Sequence, residues 1–341
     1  MNDIRSFASF SDLRAALSAL PGPDAPAAEA AQAREPQLTK PPGSLGRLEQ
    51  IAEWLATWQG RHPASLDNVC VRVFAGNHGV VAKGVSAYPA EVTVQMVGNF
   101  EAGGAAINQL CKAAGAELMV AALDLDQPTA DFTEGPAMAE DEFLAAFNVG
   151  MASVPDDCDL LGIGEMGIGN TSAAAAICLA LYGGEATDWT GPGTGVSGDA
   201  LNAKARIVAE GVHRHEDAGG GGLEILRRLG GRELAAMAGA IVAARLNRVP
   251  LLLDGYVTSA AAAALHAAQP SALDHCLAAH VSAEPAHRQL LVKLGKPALL
   301  DFGMRLGEAS GAALAIGLVR SALACHTGMA TFAEAGVSDK D

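Results

Sequence analysis

From about residue 69 onward, apolar runs of four to six residues alternate with longer stretches of helical periodicity. No other feature constrains the fold as tightly. The runs, at 69–74, 118–123, 159–163, 250–253, 276–281 and 297–300, are too short for helices. They also lack the polar alternation of a strand with one face in water. Strands apolar on both faces need cover on both faces, and intervening helices supply it as right-handed crossovers. The expected architecture is therefore α/β, with a mainly parallel sheet between helical layers.

Before residue 69 the pattern differs. Residues 6–20 read as a short amphipathic helix and the Pro/Ala-rich stretch 21–31 as a linker. Lys40-Pro41-Pro42-Gly43 cannot lie inside a helix, whereas 47–59 places Leu48, Ile51, Leu55 and Trp58 on one side of one. A last helix is expected at 310–326, after the final strand, packing with the N-terminal helices. Half of the 341 residues are apolar, yet only 4% are aromatic and 39 are glycine. Such small side chains let helix and sheet backbones approach closely. Gly219–Gly222 falls between two helical stretches and asks only for a flexible turn, with a hinge as the functional alternative.

Charge and cysteine usage narrow the function classes. With 23 Lys and Arg against 38 Asp and Glu, the formal net charge is −15, which disfavours nucleic acid and anionic membranes as partners. No apolar run approaches the ~20 residues of a membrane span, and the first residues, with Asp3, Arg5 and Asp12, lack a secretory apolar core. Six scattered cysteines without a C-x-x-C pair read as buried thiols in a reducing compartment, so a cytoplasmic location is expected. The nine histidines form no H-x-x-x-H or H-E-x-x-H, and His213 and His215 point apart on a helix, so no metal site is expected. His78, after the first strand, reads as a structural or hydrogen-bonding residue. No G-x-S-x-G elbow is present.

Two glycine loops carry the main chemical signal. In 159–172 an apolar strand ends in Gly162, Gly164, Gly167 and Gly169, then Asn170, Thr171 and Ser172 offer an N-cap to the next helix. Free N–H groups at such a helix start suit a phosphate. An ordinary tight strand-to-helix turn is the simpler alternative. Residues 162–167 also spell G-x-G-x-x-G, but Glu185 and Asp188, at the spacing for a ribose-binding acid, come after no second strand, which argues against a dehydrogenase. The second loop, 190–199, precedes a helix with Lys204 about a turn in; together the loops would clasp one phosphate monoester. Without G-K-[ST], or paired acids after a strand, that phosphate is a handle and not a leaving group. Glu308 lies between small residues before a nearly apolar helix. Locally it reads most simply as a solvated glutamate at a helix N-terminus. The alternative is a carboxylate against which a flat ring packs.

Six ordered segments, within a likeness that runs from about residue 36 to 326, change that balance: KPPGSLGRLE (40–49), FAGNHGV (74–80), GEMGIGNTS (164–172), LLDG (252–255), HVSAE (280–284) and MRLGEASGAA (304–313). Together they resemble the nicotinate-nucleotide–dimethylbenzimidazole phosphoribosyltransferase family, which makes α-ribazole phosphate for the lower ligand of cobalamin. The resemblance implies a large domain, 61–304, with a parallel Rossmann-like sheet. It also implies a small all-helical domain from the two chain ends, 1–60 with 305–341, and a homodimer. It places the catalytic base at Glu308 and a second active-site glutamate at Glu165. It assigns Gly167, Gly169, Asn170, Thr171, Gly193, Gly195, Lys204, Gly255 and Ser282 to the nucleotide, and Tyr88, Met96 and Leu306 to the base. The implied substrates are nicotinate mononucleotide and a benzimidazole-type base, without a cofactor. The rival readings are a related transferase using adenine, a purine analogue or a phenol, and a non-catalytic nucleotide-binding paralogue.

Overall fold

A computed structural model describes residues 6–217 and 219–338. Residues 1–5, with Asp3 and Arg5, fall outside it, as do 218 and 339–341. Five strands, β1 (Val69–Ala75), β2 (Glu117–Ala122), β3 (Leu160–Met166), β4 (Leu251–Leu253) and β5 (Cys276–Ala278), form one sheet in the order β2-β1-β3-β4-β5. Every pairing is parallel. β1 and β4 are buried along their whole length, as strands covered on both faces must be. The strand order reverses between β1 and β3, so the chains leaving their C-terminal ends turn to opposite sides and leave a crevice, the usual ligand position in a doubly wound sheet.

The small residues serve close packing. Helix Glu140–Ala152 lies backbone to backbone on helix Arg232–Leu246, where a Cβ on Gly150 would collide with the carbonyl of Ala236 and one on Gly239 with that of Phe147. Gly222, inside helix Gly221–Leu229, faces the Ala264 carbonyl in the same way, so the end of the glycine run packs and only its start is a turn.

Two expectations are corrected. The Pro/Ala-rich stretch is no linker: it contains helix Ala25–Arg34, with the Asp24 carboxylate capping the N–H of Ala27 at 3.0 Å. Pro26 stands in its first turn, where a missing N–H costs nothing. The run 297–300 is no full strand: Leu300 only bridges His280, beyond β5. The chain ends meet as expected. Arg34 donates from Nε to the carbonyl of His326 at 2.8 Å and from Nη2 to that of Met329 at 3.1 Å, and Leu38 bridges Thr331. Helix Ser310–Gly328 packs on one side against helix Arg47–Gln59 and on the other against the sheet. Helix Phe10–Ser18 lies apart from these, with Phe10 edge-on to Phe143 at 5.0 Å. Among the described residues no helix is long and apolar enough to cross a membrane.

Candidate active site

The chain leaving β3 floors the crevice. Glu165 is the penultimate residue of that strand, and helix Asn170–Tyr182 begins four residues after it ends. The expected side-chain cap is absent: Gly169, at φ 93°, is the N-cap, and the Asn170 amide turns back to donate to the Glu165 carboxyl. The first N–H groups of the helix thus stay clear of side-chain caps, which is what an anion site requires.

The second loop closes over the first. Gly193, at φ 53°, donates its N–H to Glu284 Oε1 at 2.9 Å, while its carbonyl accepts from Arg305 Nη1 at 3.2 Å. Lys204, on helix Gly198–His215, is buried beneath both loops, nearly two turns in. Its ammonium donates to Thr171 Oγ1 at 2.8 Å and to the Gly191 carbonyl at 3.0 Å. Burial lowers its pKa to about 8. The same lysine therefore ties the helix start of one loop to the backbone of the other.

Glu308 is held from three sides. Gly307, Glu308 and Ala309 all have positive φ, at 81°, 61° and 59°. For the two non-glycine residues that conformation is costly and needs support. The Glu308 N–H donates to the Glu165 carbonyl at 3.0 Å, so the turn is pinned to the end of β3. It can come so near because residue 164 is glycine: a Cβ there would stand 2.5 Å from the Cα of Ala309. Asp254, just beyond β4, accepts from the N–H groups of Gly311 at 2.7 Å and Ala312 at 3.0 Å, anchoring the start of the last helix. The outcome is that Glu308 is 4% exposed, and its Oε2 has no hydrogen-bond partner. The solvated glutamate of the simpler sequence reading is overturned.

Burial governs the electrostatics. It pushes Glu308 from 4.5 up to about 7 and Asp254 up to about 7. Glu165 rises to about 8 through burial first, then through the charges of Asp254 and Glu233, with Glu308 adding to them. Glu284 is raised as well, by burial, against the pull of Lys204.

These groups surround one cavity of about 670 Å³. Of the residues named from the sequence, Glu308, Glu165, Gly167, Asn170, Thr171, Gly193, Gly255 and Ser282 line it, with Tyr88, Met96 and Leu306 on its apolar side. Gly169, Gly195 and Lys204 do not line it: Gly169 and Lys204 are buried, and Gly195 is exposed on the second loop. Glu284, Arg305 and Thr194 also line it, and sequence reasoning misses them. Glu284 and Arg305 lie inside the HVSAE and MRLGE segments, but a motif does not say which of its polar side chains turns inward. Thr194 hydrogen-bonds the Ser86 hydroxyl at 2.9 Å and accepts from the Ala87 N–H at 3.2 Å, joining the second loop to the segment bearing Tyr88. His78 is buried with Nε2 2.5 Å from Glu233 Oε1, a hydrogen-bonded histidine as expected. His213 meets Glu216, and His215 meets the Phe132 carbonyl. All six cysteines are free, five of them buried. Among the described residues no three His, Cys, Asp or Glu side chains are grouped to hold a metal ion.

Known proteins resemble this chain in sequence and fold. Residues 20–337 match a family model described as phosphoribosyltransferase. Nicotinate-nucleotide–dimethylbenzimidazole phosphoribosyltransferases of Cereibacter sphaeroides and Ruegeria pomeroyi are 60% and 61% identical to the chain, each alignment covering 98% of both partners. A crystal structure of the enzyme of that name from Thermus thermophilus superposes with a TM-score of 0.85 at 40% identity, covering 93% of this chain and 100% of the other. The chain belongs to the nicotinate-nucleotide–dimethylbenzimidazole phosphoribosyltransferase family.

Proposed function

We propose that this chain transfers the phosphoribosyl group of nicotinate mononucleotide to 5,6-dimethylbenzimidazole, with inversion, giving α-ribazole 5′-phosphate and nicotinate for the nucleotide loop of cobalamin. One observation carries the residue roles: the buried, unpartnered carboxylate of Glu308 opens onto the cavity that the two glycine loops also line. The loops, with Gly167, Asn170, Thr171 and Gly193 at the wall and Lys204 behind them, grip the 5′-phosphate. Gly255 and Ser282 flank the nucleotide. Fixing the nucleotide by a remote phosphate converts its meeting with the base into an intramolecular step.

The chemistry then asks little of the protein. The leaving ring is already a pyridinium, so the C1′–N bond breaks with its electron pair going to nitrogen and nicotinate departs without a proton donor. C1′ passes through an oxocarbenium-like state, as in glycoside transfer. One azole nitrogen forms the new bond on the opposite face, turning a β-nucleotide into an α-product. The other azole nitrogen loses its proton to Glu308. A base with a pKa near 7 is matched to that task at neutral pH. Tyr88, Met96 and Leu306 supply apolar surface for the flat ring. In this reading the enzyme works in the cytoplasm as a homodimer, and helices Ala25–Arg34, Arg47–Gln59 and Ser310–Gly328, without helix Phe10–Ser18, form its smaller helical unit.

The purified protein incubated with nicotinate mononucleotide and 5,6-dimethylbenzimidazole is expected to release nicotinate and a chromatographically distinct α-nucleotide in equal amounts. No release with this base, but release with adenine or a phenol, would reassign the acceptor; no release with any base would remove the catalytic reading.

A further inference from the structure

Beneath the first glycine loop lies a layer of titratable groups that the proposed chemistry leaves unused. Glu233, in the first turn of helix Arg232–Leu246, is fully buried, and its Oε1 is 2.5 Å from Nε2 of buried His78. Glycines make room for the pair. A Cβ on Gly231 would stand 2.7 Å from Glu233 Oε2, and one on Gly76 would collide with the same oxygen. A Cβ on Gly167 would stand 3.0 Å from Glu233 Oε1 and 3.1 Å from Asn170 Nδ2. Glu233 and Asn170 thus converge on the Gly167 backbone, and Asn170 passes the contact on to Glu165 Oε2.

The charge count around Glu165 is unbalanced. Glu165, Glu233, Asp254 and Glu308 share this end of the sheet, and their nearest cationic candidates are two imidazoles, His78 on Glu233 and His280 at 3.6 Å from Asp254. Among the described residues no lysine or arginine pairs with any of the four. Carboxylates this close cannot all stay ionised. The oxygens of Glu165 are also unequal: Oε2 accepts from Asn170, whereas Oε1 faces Gly307, whose Cβ would stand 2.6 Å away.

We propose that Glu165 keeps a proton on Oε1 throughout turnover, and that the His78–Glu233 pair is the positioning element that holds it there. This rests on the transfer reading above. A neutral Glu165 leaves Glu308 as the anion beside the incoming azole and offers an O–H to the bound substrate in place of repulsion. The raised pKa of Glu165, to which Glu233 contributes, agrees with the geometry. Two carboxyls with separated roles and environments are a recurring acid–base device.

The test is the pH dependence of kcat/KM in the full-length enzyme. Wild type is expected to lose activity on the alkaline side as Glu165 ionises. Glu165→Gln, an uncharged stand-in, should turn over more slowly but measurably and lack that limb. Glu233→Gln deletes a like charge and should move the limb down by about one pH unit, while His78→Gln leaves the carboxylate bare and should move it up by a similar amount. A folded Glu165→Gln that is inactive at every pH overturns the proposal, as does a limb that fails to move in those directions. Should the buried substitutions not fold, infrared difference spectra of wild type and Glu165→Gln decide: a protonated-carboxyl band at neutral pH, lost in the variant, is expected, and its absence from wild type overturns the proposal. That spectrum needs no turnover, so it separates failure here from failure of the transferase reading.

Discussion

Strand β3 has an acid at each end, about 20 Å apart, and the two are treated in opposite ways. Asp159, just before the strand, has every need met: it accepts from Arg61, from Ser65 Oγ at 3.0 Å and from the Asn68 N–H at 2.9 Å. Glu165, at the far end, receives one amide and faces Glu308, Asp254 and Glu233. The first arrangement joins the segment 61–68 to the sheet. The second costs stability and raises pKa values instead of lowering them, a cost that persists where the structure around it is over-determined and a function gains from it. The contrast shows which acids to read as structure and which as chemistry, although a single strand separates them.

Substitutions around the two ends should have effects of different kinds. Lys204→Ala removes the ammonium between the glycine loops, so the KM for nicotinate mononucleotide should rise about 10- to 100-fold with a smaller change in kcat, as losing a charged hydrogen-bonding group implies. An unchanged KM would detach that lysine from the phosphate site. At the paired end, Asp159→Ala should lower the unfolding free energy by about 1–3 kcal/mol in urea titrations and leave KM values alone. At the unpaired end the sign reverses. Glu308 titrates near 7 when folded and at 4.5 as an ordinary glutamate, so between those values the folded form holds a proton that the unfolded form lacks. Its contribution to stability is present below the lower value and is lost as pH rises through the upper one. Glu308→Gln should therefore unfold much like wild type near about pH 5 and be more stable, by up to about 3 kcal/mol, near about pH 8.5. Leu306→Ala, at a half-exposed position of the cavity wall, should raise the KM for the base only about threefold.

How legible each element is in the sequence depends on the range of the interactions that form it. Strands β1 and β4 are visible because burial on both faces leaves an apolar run, and the partly exposed edge strand β2 is visible because its short central run is apolar as well. Helix Arg47–Gln59 is visible because its periodicity is local. Helix Ala25–Arg34 is hidden by its Pro/Ala composition, although Asp24 with Pro26 two residues on is a legitimate N-terminal signal. The run 297–300 resembles a sixth strand because composition cannot report how far a ladder extends past its neighbour.

The glycine loops are legible as an anion site, yet the cap expected from Asn170, Thr171 or Ser172 is wrong because the helix already begins at Asn170, whose amide turns back to Glu165, five residues earlier. Glu308 is the least readable residue from local sequence. Its burial depends on Gly164 allowing a close approach, on Asp254 anchoring the next helix, and on a bond to the Glu165 backbone, three partners more than 50 residues away along the chain. Only the ordered motifs of the family point to it. Glu284 and Glu233 carry no signal that distinguishes them from solvated acids.

Whether Glu308 is the base is decided by single-turnover phosphoribosyl transfer in Glu308→Gln, with nicotinate mononucleotide binding measured by calorimetry on the same preparation. Nucleotide affinity should stay within about threefold of wild type while the transfer rate falls by about 10²- to 10⁴-fold, the usual worth of a general base. A folded variant that binds the nucleotide and transfers within about threefold of the wild-type rate would contradict that role.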